Sequence, residues 1–174
     1  MVALLAGAQE EPRPEILSPQ DRSVIVKGPV RIIVRGEGEI LLDGKALAAE
    51  RIAPGVRTMT WDAASGAHQL ALGPAVVRFH AGGNPPPGWK EFRPHPPAAA
   101  CDLCHAVKNG EWAMKRASLV SLCFTCHNRP AFPATHTHNV DILAECQSCH
   151  FPHGSIEKAH LKLDKERACK QCHG

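Results

Sequence analysis

The chain has no tyrosine, three tryptophans and five phenylalanines in 174 residues, so large aromatic side chains can supply only a small part of its interior. No cysteine precedes Cys101, which leaves the first hundred residues without thiolate or disulfide chemistry. No run approaches the roughly 18 apolar residues that a membrane-spanning helix requires. Charge of one sign is also lacking: 20 Lys and Arg stand against 17 Asp and Glu, a formal net charge of +3. Without a basic run or stripe, the composition offers no footprint for nucleic acid. Methionine is scarce, with only Met1, Met59 and Met114 present.

Cysteine and histidine are abundant, and their placement matters more than their number. All eight cysteines lie at or after Cys101, and nine of eleven histidines lie at or after His95. Two regions with different work are implied. Before them, residues 1–11, "MVALLAGAQEE", read as the remnant of a secretory signal. A short apolar run is followed there by Ala6-Gly7-Ala8, an A-x-A-like arrangement.

Residues 12–83 read as short strands at 23–27, 30–36, 39–44, 56–61, 68–72 and 75–80. Gly28-Pro29, Asp43-Gly44, Pro54-Gly55, Ser65-Gly66 and Gly73-Pro74 punctuate them. The spacing predicts a small antiparallel, immunoglobulin-like β-sandwich. His68 and His80 are expected on strand faces or at the surface, not as ligands. Residues 84–94 form a Pro-rich linker, extended and stiff, that Trp89 and Phe92 pin to a neighbour.

Residues 95–174 contain a duplication. Cys101 and Cys104 recur as Cys146 and Cys149 at an offset of 45, and Cys123 and Cys126 as Cys169 and Cys172 at 46. Such self-similarity points to one binding unit used twice. Short helices are expected within Glu111–Leu122 and Ile156–Ala168. Large apolar residues are too few for a conventional core, so disulfides, metals or a large cofactor must supply the interior. The expected fold class is thus a small all-β sandwich followed by a loop-rich domain with a few short helices, packed around such a group.

The haem assignment comes from the four pairs "CDLCH", "CFTCH", "CQSCH" and "CKQCH". Gaps of 18 and 19 residues between successive pairs also suit a zinc ribbon. A zinc ribbon, however, needs no His after each pair. With 11 His in the chain, four hits in four arise by chance on the order of one time in 100,000. Disulfides leave the His without a role, and a thioredoxin-like dithiol wants one pair in a βαβ context. Covalent haem attachment uses every element: two thiols add to two vinyl groups, and the adjacent His reaches the iron. Four haems c consume all eight cysteines, Cys101, Cys104, Cys123, Cys126, Cys146, Cys149, Cys169 and Cys172.

These motifs resemble the multihaem c-type cytochromes with doubled CxxCH repeats, over about residues 93–174. "CHFPHGS" is similar to that family's frequent CHxPHGS element. The first repeat departs from it, because "CHAVKNG" places Lys108 where the second has His153. The proximal ligands are expected to be His105, His127, His150 and His173. For the sixth positions the expected set is His95, His136, His138 and His153, with His160 in reserve. His95 and His138 hold comparable places before Cys101 and Cys146. The resemblance implies His153, and His136 substitutes for the histidine missing at Lys108.

The expected function is electron transfer along closely spaced bis-His haems, outside the cytoplasm because haem attachment and oxidising export go together. It is not expected to be an enzyme. Redox proteins or extracellular electron acceptors are the expected partners, with no nucleic acid and no membrane span. Two alternatives stand beside it. One is the repeating subunit of an extracellular cytochrome filament. The other is a multihaem reductase with one open haem, for which no CxxCK variant is visible.

Overall fold

The computed structural model describes residues 13–95, 101–109, 111–132, 138 and 145–174. The expected signal remnant and His136 lie outside them. Nine strands come first: β1 (Glu15–Ser18), β2 (Ser23–Ile25), β3 (Gly28–Arg35), β4 (Ile40–Leu42), β5 (Lys45–Ala46), β6 (Glu50–Ala53), β7 (Val56–Ala63), β8 (Gly66–Leu72) and β9 (Ala75–Ala81). All six strands expected from the sequence are present, and β1, β5 and β6 are added. Within 84–94 the chain forms β10 (Lys90–Glu91) and β11 (Arg93–Pro94).

The strands form a four-stranded sheet, β1-β3-β7-β6, and a six-stranded sheet, β10-β2-β9-β8-β4-β5. Alternation builds their shared core. Ile32 and Val34 on β3 face Leu70 and Leu72 on β8 and Phe79 on β9 within one apolar cluster. Each such side chain, at most 1% exposed, contributes about 1.5–3 kcal/mol by leaving water.

Pairing is antiparallel with two exceptions that the sequence does not announce: β2 runs parallel to β9, and β10 parallel to β2. Sequence-adjacent strands joined by a tight turn must run antiparallel. β2, β9 and β10 are not joined in that way, so nothing enforces antiparallel pairing.

Asp43 and Gly44, both at positive φ, make the tight turn between β4 and β5, as an Asp-Gly pair favours. The Asp43 carboxylate also accepts from His68 Nδ1 (2.8 Å) and from the Gln69 amide (2.8 Å). His68 thereby gains a structural role, packed edge-on to Trp61 at 4.8 Å. His80 is buried rather than superficial, at 8% exposure. Partial burial pushes the Asp43 carboxyl up, but the His68 and Gln69 hydrogen bonds outweigh it and hold the carboxyl below its usual value of 3.8. A depressed folded-state pKa gives stability that is present above the unfolded value and lost as pH falls through the folded one. Denaturant titrations are therefore expected to show a loss of stability below about pH 3.8 that is smaller in Asp43→Asn.

The linker is sewn into both regions. β10 extends the larger sheet, whereas β11 pairs with β14 (Gly154–Ser155). Lys90 pairs with Glu157 at 2.7 Å, and the Ile156 amide donates to Gln20 Oε1 at 3.0 Å. Phe92 packs against the β-core.

Beyond the linker, Leu122 is the one buried hydrophobic side chain among the described residues. Regular structure there is sparse: a hairpin of β12 (His105–Lys108) and β13 (Glu111–Met114), then helix α1 (Leu119–Cys123) and helix α2 (Lys165–His173). The expected helix over Glu111–Leu122 is thus corrected to a strand and a short helix. Asn109, at φ +53, and Gly110 after it form the dipeptide that favours a two-residue hairpin turn. Ser118 caps α1 through the Ser121 amide (3.2 Å). The second expected helix, Ile156–Ala168, is likewise corrected. It is a 3₁₀ turn at Lys158–His160, then α2, which begins only after Asp164 caps the Arg167 amide (3.0 Å).

Candidate functional site

Each cysteine pair lies on a helical turn. The second cysteine's amide donates to the first cysteine's carbonyl in the first three motifs, at 3.3, 3.2 and 3.3 Å. The fourth pair lies within α2. Residues three apart on such a turn share a face, so both thiols of a pair are presented together. No disulfide forms among the described residues, and all eight cysteines keep their thiols. Neighbouring motifs touch. Burial and the adjacent Cys146 push the Cys123 thiol up to about 11, and burial with Cys126 nearby raises that of Cys104.

No three Cys, His, Asp or Glu side chains converge among the described residues, whereas a structural zinc site needs four ligands at tetrahedral positions. Histidines instead come in twos. The ring centres of His95 and His127 are 5.9 Å apart with planes within 8°. His105 and His153 stand 6.2 Å apart at 18°, and His138 and His173 5.6 Å apart at 20°. Ring centres at these separations suit offset stacking, for which about 4.5–7 Å is usual, and they suit shared ligation as well. Two imidazoles on opposite sides of one metal, with bonds of about 2.0 Å, place their ring centres about 6.4 Å apart. The residues therefore fit an iron that receives one imidazole from each side.

Local contacts aim the rings. His95 Nδ1 donates to the Pro152 carbonyl (3.1 Å), and His150 Nδ1 to the Ala159 carbonyl (2.8 Å). Such bonds fix the tautomer and leave Nε2 with its lone pair free to accept a metal. Burial holds the His105 and His153 imidazoles below their usual value, with His153 adding to the effect on His105. Both are thereby kept in the neutral form that binds metal.

In this way "CQSCHFPHGS" acquires a part for several members. The Pro152 carbonyl orients His95, His153 faces His105, and Gly154 passes beneath the linker. Ser155 Oγ, on a fully buried residue, donates to the Leu161 carbonyl at 2.6 Å.

Of the expected sixth ligands, His95, His138 and His153 are each paired with the histidine of a different CxxCH motif, an expected proximal ligand. His136 lies outside the described residues. His160 meets His95 edge-on at 5.1 Å and 74°, so it adjoins a pair already formed. Lys108 is exposed on β12. Sequence reasoning missed the backbone acceptors Pro152 and Ala159. Ala159 and His160 both sit at φ +56, a conformation for which no glycine or asparagine gave a signal. It also missed Trp112, stacked 4.6 Å from His105. The Asn109-Gly110 turn was the available clue to that strand.

No curated protein and no solved structure matches the chain. A family model described as the doubled CXXCH motif matches residues 141–174. That span holds the third and fourth cysteine pairs, and it stops short of the first two. The last part of the chain thus carries a c-type haem-binding motif, of the kind found in electron-transfer cytochromes.

Proposed function

We propose that the protein is an exported electron-transfer cytochrome with four covalently attached haems, each iron held between two imidazoles. The observation that carries this reading is the three histidine pairs, 5.6–6.2 Å between ring centres. Within it, His153 serves the haem of Cys101 and Cys104, His95 that of Cys123 and Cys126, and His138 that of Cys169 and Cys172. The haem of Cys146 and Cys149 would take His150 from its own motif, and His136 is the expected ligand that remains.

Haem c, when bound, supplies a one-electron couple. The chain's residues determine how that couple behaves. Two neutral nitrogen ligands serve both oxidation states, so little has to move on reduction. They also keep the potential below that of a His/Met site. Cys123 is hydrogen-bonded to Cys146, and Cys104 lies within electrostatic reach of both Cys123 and Cys126, so the first three motifs are neighbours. That proximity favours hopping from haem to haem. With both axial positions taken, substrate has no iron to bind, which sets this reading apart from a reductase.

The β-region belongs to the same proposal as an immunoglobulin-like sandwich. Its support is the strand order, which corresponds to strands A-B-E-D in one sheet and to G-F-C in the other.

A pyridine haemochrome assay on the exported protein is expected to give four haems per chain. Electron paramagnetic resonance should show low-spin ferric haem alone, and the reduced protein should bind no carbon monoxide. Two haems, or a high-spin fraction of one in four, would overturn the tetrahaem bis-His assignment.

A further inference from the structure

The outer face of the four-stranded sheet is partly buried, and the first cysteine motif lies beside it. On β7, Met59, Trp61 and Ala63 join the inner core, so Val56, Thr58 and Thr60 alternate to the other side. Yet Val56 is 6% exposed and Thr58 8%. Ala53, the register partner of Val56, is buried to the same degree. These residues are out of water although they do not face the other sheet.

Arg31 lies on this outer face, opposite Thr60 in register. Its Nε donates to Thr58 Oγ1 (3.2 Å), and its Nη2 is 3.8 Å from Cys101 Sγ. Arg31 and Ile52 form one wall of a cavity of about 430 Å³, and the first motif forms the other, with Cys101, His105 and Trp112. Elsewhere on the same sheet, the half-buried His153 lies within the electrostatic reach of Glu15 on β1 and Arg35 on β3. The sheet therefore borders the His105–His153 pair at its His105 end and carries charges that act on its His153 end.

We infer that the outer face of the β1-β3-β7-β6 sheet is a wall of the first haem's pocket, with Ile52 as an apolar contact and Arg31 as a cation that tunes that haem's potential. This rests on the haem reading above. It also gives the β-region a definite role, because one haem of the four is housed between the two regions while the other three are held by the cysteine-rich region. A fixed guanidinium disfavours the oxidised, more positive state of an adjacent redox centre, so Arg31 raises the potential. Asp102, in the same cavity, opposes it.

Two measurements on the full holoprotein test this. With isoleucine methyl labelling, the Ile52 methyl is expected to move between the oxidised and reduced spectra by far more than that of Ile25, which lies in the opposite sheet. In a spectroelectrochemical titration, Arg31→Gln is expected to lower the reduced-to-oxidised ratio of one haem about tenfold at a fixed potential, a shift of about 59 mV for one electron. Arg31→Lys, which keeps the charge, should restore most of it. Four haems by haemochrome with an unmoved Ile52 methyl overturns the inference alone, as does an Arg31→Gln effect that is absent or spread equally over all four couples. A chain without haem overturns the functional reading and this inference together.

Discussion

Replacing His153 with alanine is expected to turn one haem in four high-spin, and the affected haem is the one attached at Cys101 and Cys104. In sequence His153 belongs to the third motif, three residues after His150. In space its ring faces His105 at 6.2 Å with nearly parallel planes, whereas the His150 ring is turned by a bond to the Ala159 carbonyl. Loss of the imidazole removes a strong ligand from one side of that iron only. The expected signature is a high-spin resonance, carbon monoxide binding at one site, and a haemochrome count still at four. Assignment comes from a second variant. With Cys101 and Cys104 both changed to alanine, adding His153→Ala should leave the three remaining haems low-spin. A high-spin haem in that background would assign His153 to another motif.

This crossed pairing also shows which parts of the site the sequence carries. The four CxxCH motifs are legible because their chemistry is local. Two thiols three residues apart and the next histidine need only one helical turn, and each pair is found on such a turn. The partner of each histidine is not legible, because it is decided by how separate turns pack. His95 meets His127 across 32 positions, and His138 meets His173 across 35, with little regular structure among the described residues between them to transmit a period. The β-region divides in the same way. β3, β4, β7, β8 and β9 alternate strongly enough to be read from the residues. β5 and β6 are short edge strands with mostly exposed side chains, so alternation has little to act on. The parallel placement of β2 and β10 depends on neighbours far away in sequence, which local pattern does not encode. Asn109-Gly110 is different: that signal was present, and a weak helical pattern over Glu111–Leu122 obscured it.

The linker has the same lesson in energetic form. Gly and Pro content marks 84–94 as extended, and an extended segment is free to add a strand to whatever edge it passes. It adds β10 to one sheet and β11 to the CHFPHGS stretch. Two residues of pairing on each side are little in themselves. They nevertheless fix where His95 begins, and the Pro152 carbonyl then sets its ring. On the proposed reading, haem ligation in the second motif would therefore depend on the seam between linker and third motif.

Among the described glycines, Gly154 is where an added methyl meets the closest contacts, so Gly154→Ala is expected to be strongly destabilising. Gly154 sits at φ +121, and a Cβ there would lie 2.6 Å from the Arg93 carbonyl oxygen, 2.8 Å from Phe92 Cζ and 2.9 Å from Pro94 Cα. Two of these neighbours are backbone, so no side-chain rotation relieves the clash. Overpacking and an unfavourable backbone region each cost about 1–3 kcal/mol. A loss of about 3 kcal/mol or more is expected, which lowers Tm by roughly 6–12 °C in a chain of this size. Gly55→Ala supplies the comparison. Gly55 also has positive φ, +67, but open space around the added carbon, so only the backbone cost of about 1–2 kcal/mol applies. The two variants separate strain from contact. If contact with the linker matters, Gly154→Ala should also disturb two haems: one through His153, the adjacent residue, and one through Pro152 and His95. Gly55→Ala should disturb none. Equal melting losses, or an unchanged low-spin spectrum in Gly154→Ala, would mean that the linker can move aside without carrying His95 with it.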